Sequence, residues 1–252
     1  TVGASNLAFS SGTLAGAGEL SVTGASSSWS GGTLSGNLRV ASGGTLAMNG
    51  GVKNIGNGSL TNQGTVVWSA GNIEQINGST AMTIMNQSGS LFDIQGDLTL
   101  GAGSISGNYD NTLTFVNQAG GELRRSAGTG TTLLGWQSDG DNGQNFNLQN
   151  NGTVNIQTGT VRIGLAGTPA ASTGTFGVSG GAVLDYGSGS HTFTGVTQSG
   201  AGALRLSGGA ITFTGASTAT DLQLAGGTLT VSGGGTVGAS NLAFSSGTLA
   251  GA

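Results

Sequence analysis

Short runs of strict apolar–polar alternation recur along the whole chain. Examples are Leu98-Thr-Leu100, Leu113-Thr-Phe115, Val154-Asn-Ile156, Val161-Arg-Ile163, Leu204-Arg-Leu206, Ile211-Thr-Phe213, Leu222-Gln-Leu224 and Leu229-Thr-Val231. A period of two sends alternate side chains to opposite faces of a strand. Threonine is abundant between the apolar residues and suits a pleated surface. No long stretch carries helical periodicity, so the pattern predicts many short strands and helix content near zero. The same alternation turns Arg39, Arg162 and Arg205 outward, because their aliphatic neighbours point in.

Between the strands sit glycine corners with a recurring signature, Gly-Thr followed by an aliphatic residue. It reads "GTL" at Gly12, Gly32, Gly44, Gly227 and Gly247, and "GTV" at Gly64, Gly152, Gly159 and Gly235, with variants at Gly174, Gly202 and Gly209. The expected role of these glycines is to supply the positive φ of a tight corner, after which the aliphatic residue re-enters the core. A second motif is sharper. The stretches "LTNQGTV", "IMNQSGSL", "FVNQAGGEL" and "LQNNGTV" align on Asn62, Asn86, Asn117 and Asn150. Each asparagine follows an apolar residue by two positions and precedes a glycine-containing corner.

Such short strands fit a sandwich, a propeller or a β-solenoid. Propeller blades are longer and more uniform, about 40–50 residues each. Very short strands, recurring corners and variable spacing between like corners favour an all-β, right-handed parallel β-helix. In such a β-solenoid equivalent residues stack about 4.8 Å apart, and the four asparagines are placed to hydrogen-bond as a ladder. No rung buries enough on its own to fold alone, so stability comes from stacking.

The chain also ends on the words with which it opens: Thr1–Ala17, "TVGASNLAFSSGTLAGA", recurs without a mismatch as Thr236–Ala252. We read residues 1–235 as one full tandem repeat of the solenoid and 236–252 as the start of the next, a window on a longer array. With rungs of about 20 residues, one repeat holds roughly a dozen rungs and forms a rod of about 55–60 Å.

Composition narrows the class. Glycine supplies 53 of 252 residues, and only 6% of residues are charged, against about 25% in typical soluble domains. Serine, threonine and asparagine keep the surface wet instead. Disordered chains combine low hydrophobicity with high net charge, whereas here the net charge is −4 and the apolar pattern is periodic. With no cysteine there is no disulfide framework and no thiolate metal site, which suits a chain that crosses an oxidising periplasm unfolded. Six scattered basic residues offer no footprint for nucleic acid. No apolar run reaches the roughly 18 residues that would insert this segment in a membrane.

Candidate chemistry is sparse. Asp93 and Asp97 are close in "LFDIQGDLTL", a single carboxylate pair around a glycine. "SDGDNGQN", with Asp139, Asp141, Asn142 and Asn145, resembles the start of a Ca²⁺ loop but lacks the glutamate at the twelfth position. His191 is the only histidine and is expected to face solvent; alone it anchors neither a triad nor a zinc site. Trp29, Trp68, Trp136, Tyr109 and Tyr186 are candidates for stacking on sugars, with core packing the plainer role. No catalytic residue, cofactor or metal ligand is assigned.

Taken together, "GGTLSGN", "LTNQGTVVWSAGNIEQING", "LFDIQGDLTL", "LQNNGTVNIQTGTVRI" and "LAGGTLTVSGGGTV" resemble large bacterial surface proteins with β-strand repeats. These are the filamentous-haemagglutinin-like and autotransporter-type proteins. The resemblance implies a secreted parallel β-helix at the bacterial cell surface, without family-wide catalytic residues. It implies a structural segment of an extracellular fibre or stalk for adhesion or matrix building. Expected partners are copies of itself, by head-to-tail continuation and lateral bundling, and cell-surface glycans. A glycan-binding adhesin module is the alternative, and a polysaccharide-cleaving β-helix enzyme a more distant one.

Overall fold

The structure, a computed structural model, describes residues 1–76, 82–102, 111–136, 144–164, 167 and 169–251. Every regular element among them is a β-strand, most of them two to seven residues long. No helix occurs among the described residues. All strand pairings are parallel, and each strand pairs with the third strand after it or nearly so. The chain therefore lays down three strands in turn and returns above the first.

Three columns of strands result. The first starts with Val2–Ala4, Glu19–Val22, Asn37–Val40, Ser59–Asn62, Met82–Asn86, Asn111–Asn117 and Gln144–Asn150. It continues through Ser172, which bridges to Phe193, then Ser190–Phe193, Ala210–Phe213, and residues 228–231 and 248–251. The second column runs from Ala8–Phe9 through Ser27–Trp29, Thr45–Met48 and Thr65–Trp68 up to residues 216–219 and 236–239. The third runs from Thr13–Leu14 through Gly32–Leu34 and Lys53–Ile55 up to residues 221–224 and 241–244. One circuit takes 18 residues near the start of the chain and 33 between Asn117 and Asn150. The longer circuits pass through stretches outside the described residues.

Alternation decides which side chains go in. In Thr65–Trp68, Val66 and Trp68 are completely buried while Thr65 and Val67 remain half-buried. Stacking in register puts like on like along the core. Phe9 lies over its register partner Trp29 with ring centroids 5.6 Å apart, and Phe193 meets its register partner Phe213 at 5.5 Å. Phe176, on the second column, reaches Phe193 across the core at 5.3 Å. Such contacts add to the area that each aromatic buries. Arg39, Arg162 and Arg205 lie on the outer surface, with 29%, 48% and 33% of their side chains exposed.

The corner glycines divide into two kinds, which corrects the expectation of a single role. Gly12, Gly32, Gly159, Gly227 and Gly247 adopt φ values of 80°, 90°, 63°, 69° and 99°, a region costly for other residues. Gly44, Gly64, Gly152 and Gly235 do not have positive φ. A Cβ on them would lie 2.6, 2.3, 2.3 and 2.6 Å from the carbonyl oxygens of Val22, Gly44, Gly121 and Phe213. These four are glycine because the circuit below passes too close for any side chain.

Candidate functional site

The most extensive arrangement of polar side chains inside the molecule stands where the first column turns into the second. Asn62, Asn86, Asn117 and Asn150 each occupy the last inward position of a first-column strand, and all four are completely buried. They are register partners on successive circuits. Asn62 Nδ2 donates to Asn86 Oδ1, Asn86 Nδ2 to Asn117 Oδ1, and Asn117 Nδ2 to Asn150 Oδ1, each at 2.8 Å.

Each Nδ2 also donates to a backbone carbonyl at the start of the second-column strand one circuit above, which for Asn150 is its one Nδ2 bond. The acceptors are Leu91, Glu122, Thr153 and Thr175, at 2.8, 3.0, 2.9 and 3.1 Å. Gly64 N donates to Asn62 Oδ1 at 3.1 Å, and Ser90 Oγ to Asn86 Oδ1 at 2.8 Å. Below the row, Val40 occupies the partner position of Asn62; above it, the Asn150 backbone N–H donates to the Ser172 hydroxyl at 3.0 Å. Buried amides are costly unless paired, and here both Nδ2 hydrogens of Asn62, Asn86 and Asn117 are used. A row of neutral amides neither titrates nor acts as a nucleophile. It sets register and spacing between circuits.

The outer surface carries a second kind of contact, an arginine seated over the carboxylate directly below it in register. Arg124 holds Asp93 through both oxygens, Nε to Oδ1 at 3.1 Å and Nη2 to Oδ2 at 2.9 Å, and Ser126 adds a hydroxyl at 3.0 Å. Arg205 holds Asp185 in the same way, at 3.1 and 3.1 Å, with Ser207 at 3.0 Å. The local code is Arg-x-Ser one circuit above Asp. Burial pushes the Asp93 carboxyl up, but hydrogen bonds from Arg124, Gln95 and Ser126, with the Arg124 charge, outweigh it and hold the group below the ordinary carboxylate range.

Asp97 belongs to a different cluster. Its Oδ1 meets Nη2 of Arg125 at 2.5 Å, and both its oxygens accept from Gly130 N at 3.1 Å. Arg125 is completely buried at this corner. It also donates to the carbonyls of Gly96, Gly130 and Thr158 and to the Thr132 hydroxyl, tying three successive circuits together. Asp93 and Asp97 thus each face their own arginine and do not act as a carboxylate pair.

Two further buried groups depart from the sequence reading, which does not single out Lys53 and places His191 on the surface. Lys53 is completely buried, with Nζ donating to the carbonyls of Gly51 and Ala70 at 2.7 Å each, and burial pushes its amine down to about 8. His191, expected on the surface, is only 4% exposed. Its ring centroid lies 4.6 Å from that of Tyr186 and its Nε2 is 3.1 Å from Ser188 O; burial lowers its pKa to about 4. The reason is parity, since His191 stands two residues before the inward Phe193.

Trp29, Trp68 and Tyr186 are buried in the core and present no face to a sugar from outside. Tyr109 and the Asp139–Asp141 loop with Asn142 lie outside the described residues, as does the side chain of Trp136. Asn145 is half-buried. No protein-family model, no curated protein and no solved structure matches the chain.

Proposed function

We propose that this chain is a section of a tandemly repeated, secreted β-solenoid whose work is mechanical. It forms a fibre or stalk at a bacterial cell surface, for adhesion or matrix building. The observation that carries this reading is the buried amide row of Asn62, Asn86, Asn117 and Asn150, in which three bonds of 2.8 Å join each amide to the one on the next circuit. The described polar clusters are likewise engaged in joining one circuit to the next: Arg124 to Asp93, Arg205 to Asp185, Arg125 to its carbonyl cage. A surface built for catalysis keeps some of its charged groups free for substrate.

The path closes as a right-handed coil in this reading, the hand that parallel strand connections take in nearly every case. Its first column takes ten steps from Val2–Ala4 to residues 228–231, fewer than the dozen rungs expected of one unit, because the circuits between Asn62 and Asn150 are 24 to 33 residues long. Its partners are further copies of the same unit, end to end and side by side, with glycans as contacts of the assembled fibre. Electron microscopy of the native protein tests the proposal. Rods far longer than one 235-residue unit are expected; compact, monodisperse particles overturn it.

A further inference from the structure

The two copies of the seventeen-residue segment fold alike but do not lie on the same faces. In the first copy, Val2–Ala4 belongs to the first column, Ala8–Phe9 to the second and Thr13–Leu14 to the third. In the second copy, residues 236–239 stand on the second column, 241–244 on the third and 248–251 on the first. From Val2–Ala4 the first column climbs ten steps to residues 228–231, and the segment resumes on the face after that. One 235-residue unit is therefore ten circuits plus one face.

The second copy also lines an open apolar end of the stack. Leu242, Phe244 and Leu249 are 48%, 54% and 49% exposed and lie over Leu222, Leu224 and Leu229. Their equivalents in the first copy are Leu7, Phe9 and Leu14, and what covers these is the following circuit. Phe9, only 8% exposed, lies over Trp29 at 5.6 Å and 15°; Leu7 N donates to Ser27 Oγ at 2.9 Å; Leu14 pairs with Leu34. The surface that fits Leu242, Phe244 and Leu249 is thus the surface of residues 18–34.

We propose that this open end receives the next copy of the unit, through a circuit with the sequence of residues 18–34, and that the copy is turned by one face relative to the first. This placement rests on the tandem reading above. The faces are interchangeable because each asks only for short alternating strands with glycine corners, which the same seventeen residues supply on either set of faces. Successive units then present the Asn62–Asn150 corner and the Arg-over-Asp surface on all three sides in turn. The pattern returns to its starting face after three units, so the rod offers the same contacts in three directions for side-by-side packing.

Electron cryomicroscopy of the native full-length protein tests this. An axial rise of about 50 Å per unit is expected, from ten circuits and a third at the usual strand spacing, with the full pattern returning after about 150 Å. Side-chain density should place the counterpart of Trp29 in the next unit on the third column instead of the second. A true axial repeat of about 50 Å, with the tryptophan on the same face in every unit, overturns the turn while leaving the array intact. Absence of any regular unit of that length overturns the array reading and this proposal with it.

Discussion

Asn117 stands inside the buried amide row, with Asn86 donating to it and Asn150 accepting from it. Asn117→Ala leaves Asn86 Nδ2, Asn150 Oδ1 and the Thr153 carbonyl each short of a partner in a dry corner. The expected loss is about 2–4 kcal/mol, read from the denaturant midpoint. A loss no larger than that of an exposed Asn→Ala control would contradict the geometry. His191 makes a pH prediction of definite sign. Its pKa is about 4 in the folded chain against 6.5 for an ordinary histidine, so between those values the unfolded chain takes up a proton that the folded chain excludes. Stability is full above about pH 6.5, falls as pH drops towards 4, and levels off there, by roughly 3 kcal/mol in all. His191→Leu should flatten that part of the stability–pH curve. Asp93, held low by Arg124 and its hydrogen bonds, contributes its own loss at still lower pH.

Corners, not strands, are where a single substitution separates two circuits. A Cβ at Gly152 would lie 2.3 Å from the Gly121 carbonyl oxygen and 2.4 Å from that of Gln118, in backbone that cannot move aside alone. Gly43 has φ of 78° but open space around its Cβ position. Gly43→Ala is therefore expected to cost only the left-handed backbone penalty, about 1–2 kcal/mol. Gly152→Ala should cost more and should raise amide exchange selectively in the circuits above and below it. Equal effects of the two substitutions would show that close approach between circuits does not govern these corners.

Across the whole molecule, burial depends on what lies above and below. Phe9 and Phe244 are the same residue of the same seventeen-residue segment, yet one is 8% and the other 54% exposed. Phe9→Ala is expected to cost about 3 kcal/mol, as core phenylalanines do, and Phe244→Ala under about 1 kcal/mol in the same chain. Native-state hydrogen exchange is the suitable readout, since repetitive stacks open circuit by circuit. Protection should be greatest in the middle circuits and least for residues 236–251, where Leu242, Phe244 and Leu249 lack a cover. Comparable costs for the two phenylalanines would mean that the end is covered in solution.

Much of this architecture could be read from local pattern. Alternation such as Val154-Asn-Ile156 defines short strands, because a pleated chain leaves no other face for its apolar residues, and the Gly-Thr-aliphatic corners mark where strands stop. The recurrence of asparagine two positions after an apolar residue marks Asn62, Asn86, Asn117 and Asn150 as equivalent. The same parity rule extends to His191, two residues before Phe193. Other features depend on distances along the chain that no local pattern encodes. Which glycines need empty space, among them positive-φ corners such as Gly227 as well as Gly44 and Gly64, follows from how closely the circuit below passes. Arg125 is buried while its neighbour Arg124 is not, because carbonyls from three circuits converge on its guanidinium at that corner. Lys53 is buried for a similar reason, with the Gly51 carbonyl of its own circuit and the Ala70 carbonyl, seventeen residues further along the chain, both brought to its amine. By itself the sequence determined strands, corners and the equivalence of like residues, since these are set by neighbours in the chain. Only the tertiary structure decided which face each segment occupies, because a face is fixed by the accumulated length of all the circuits beneath it.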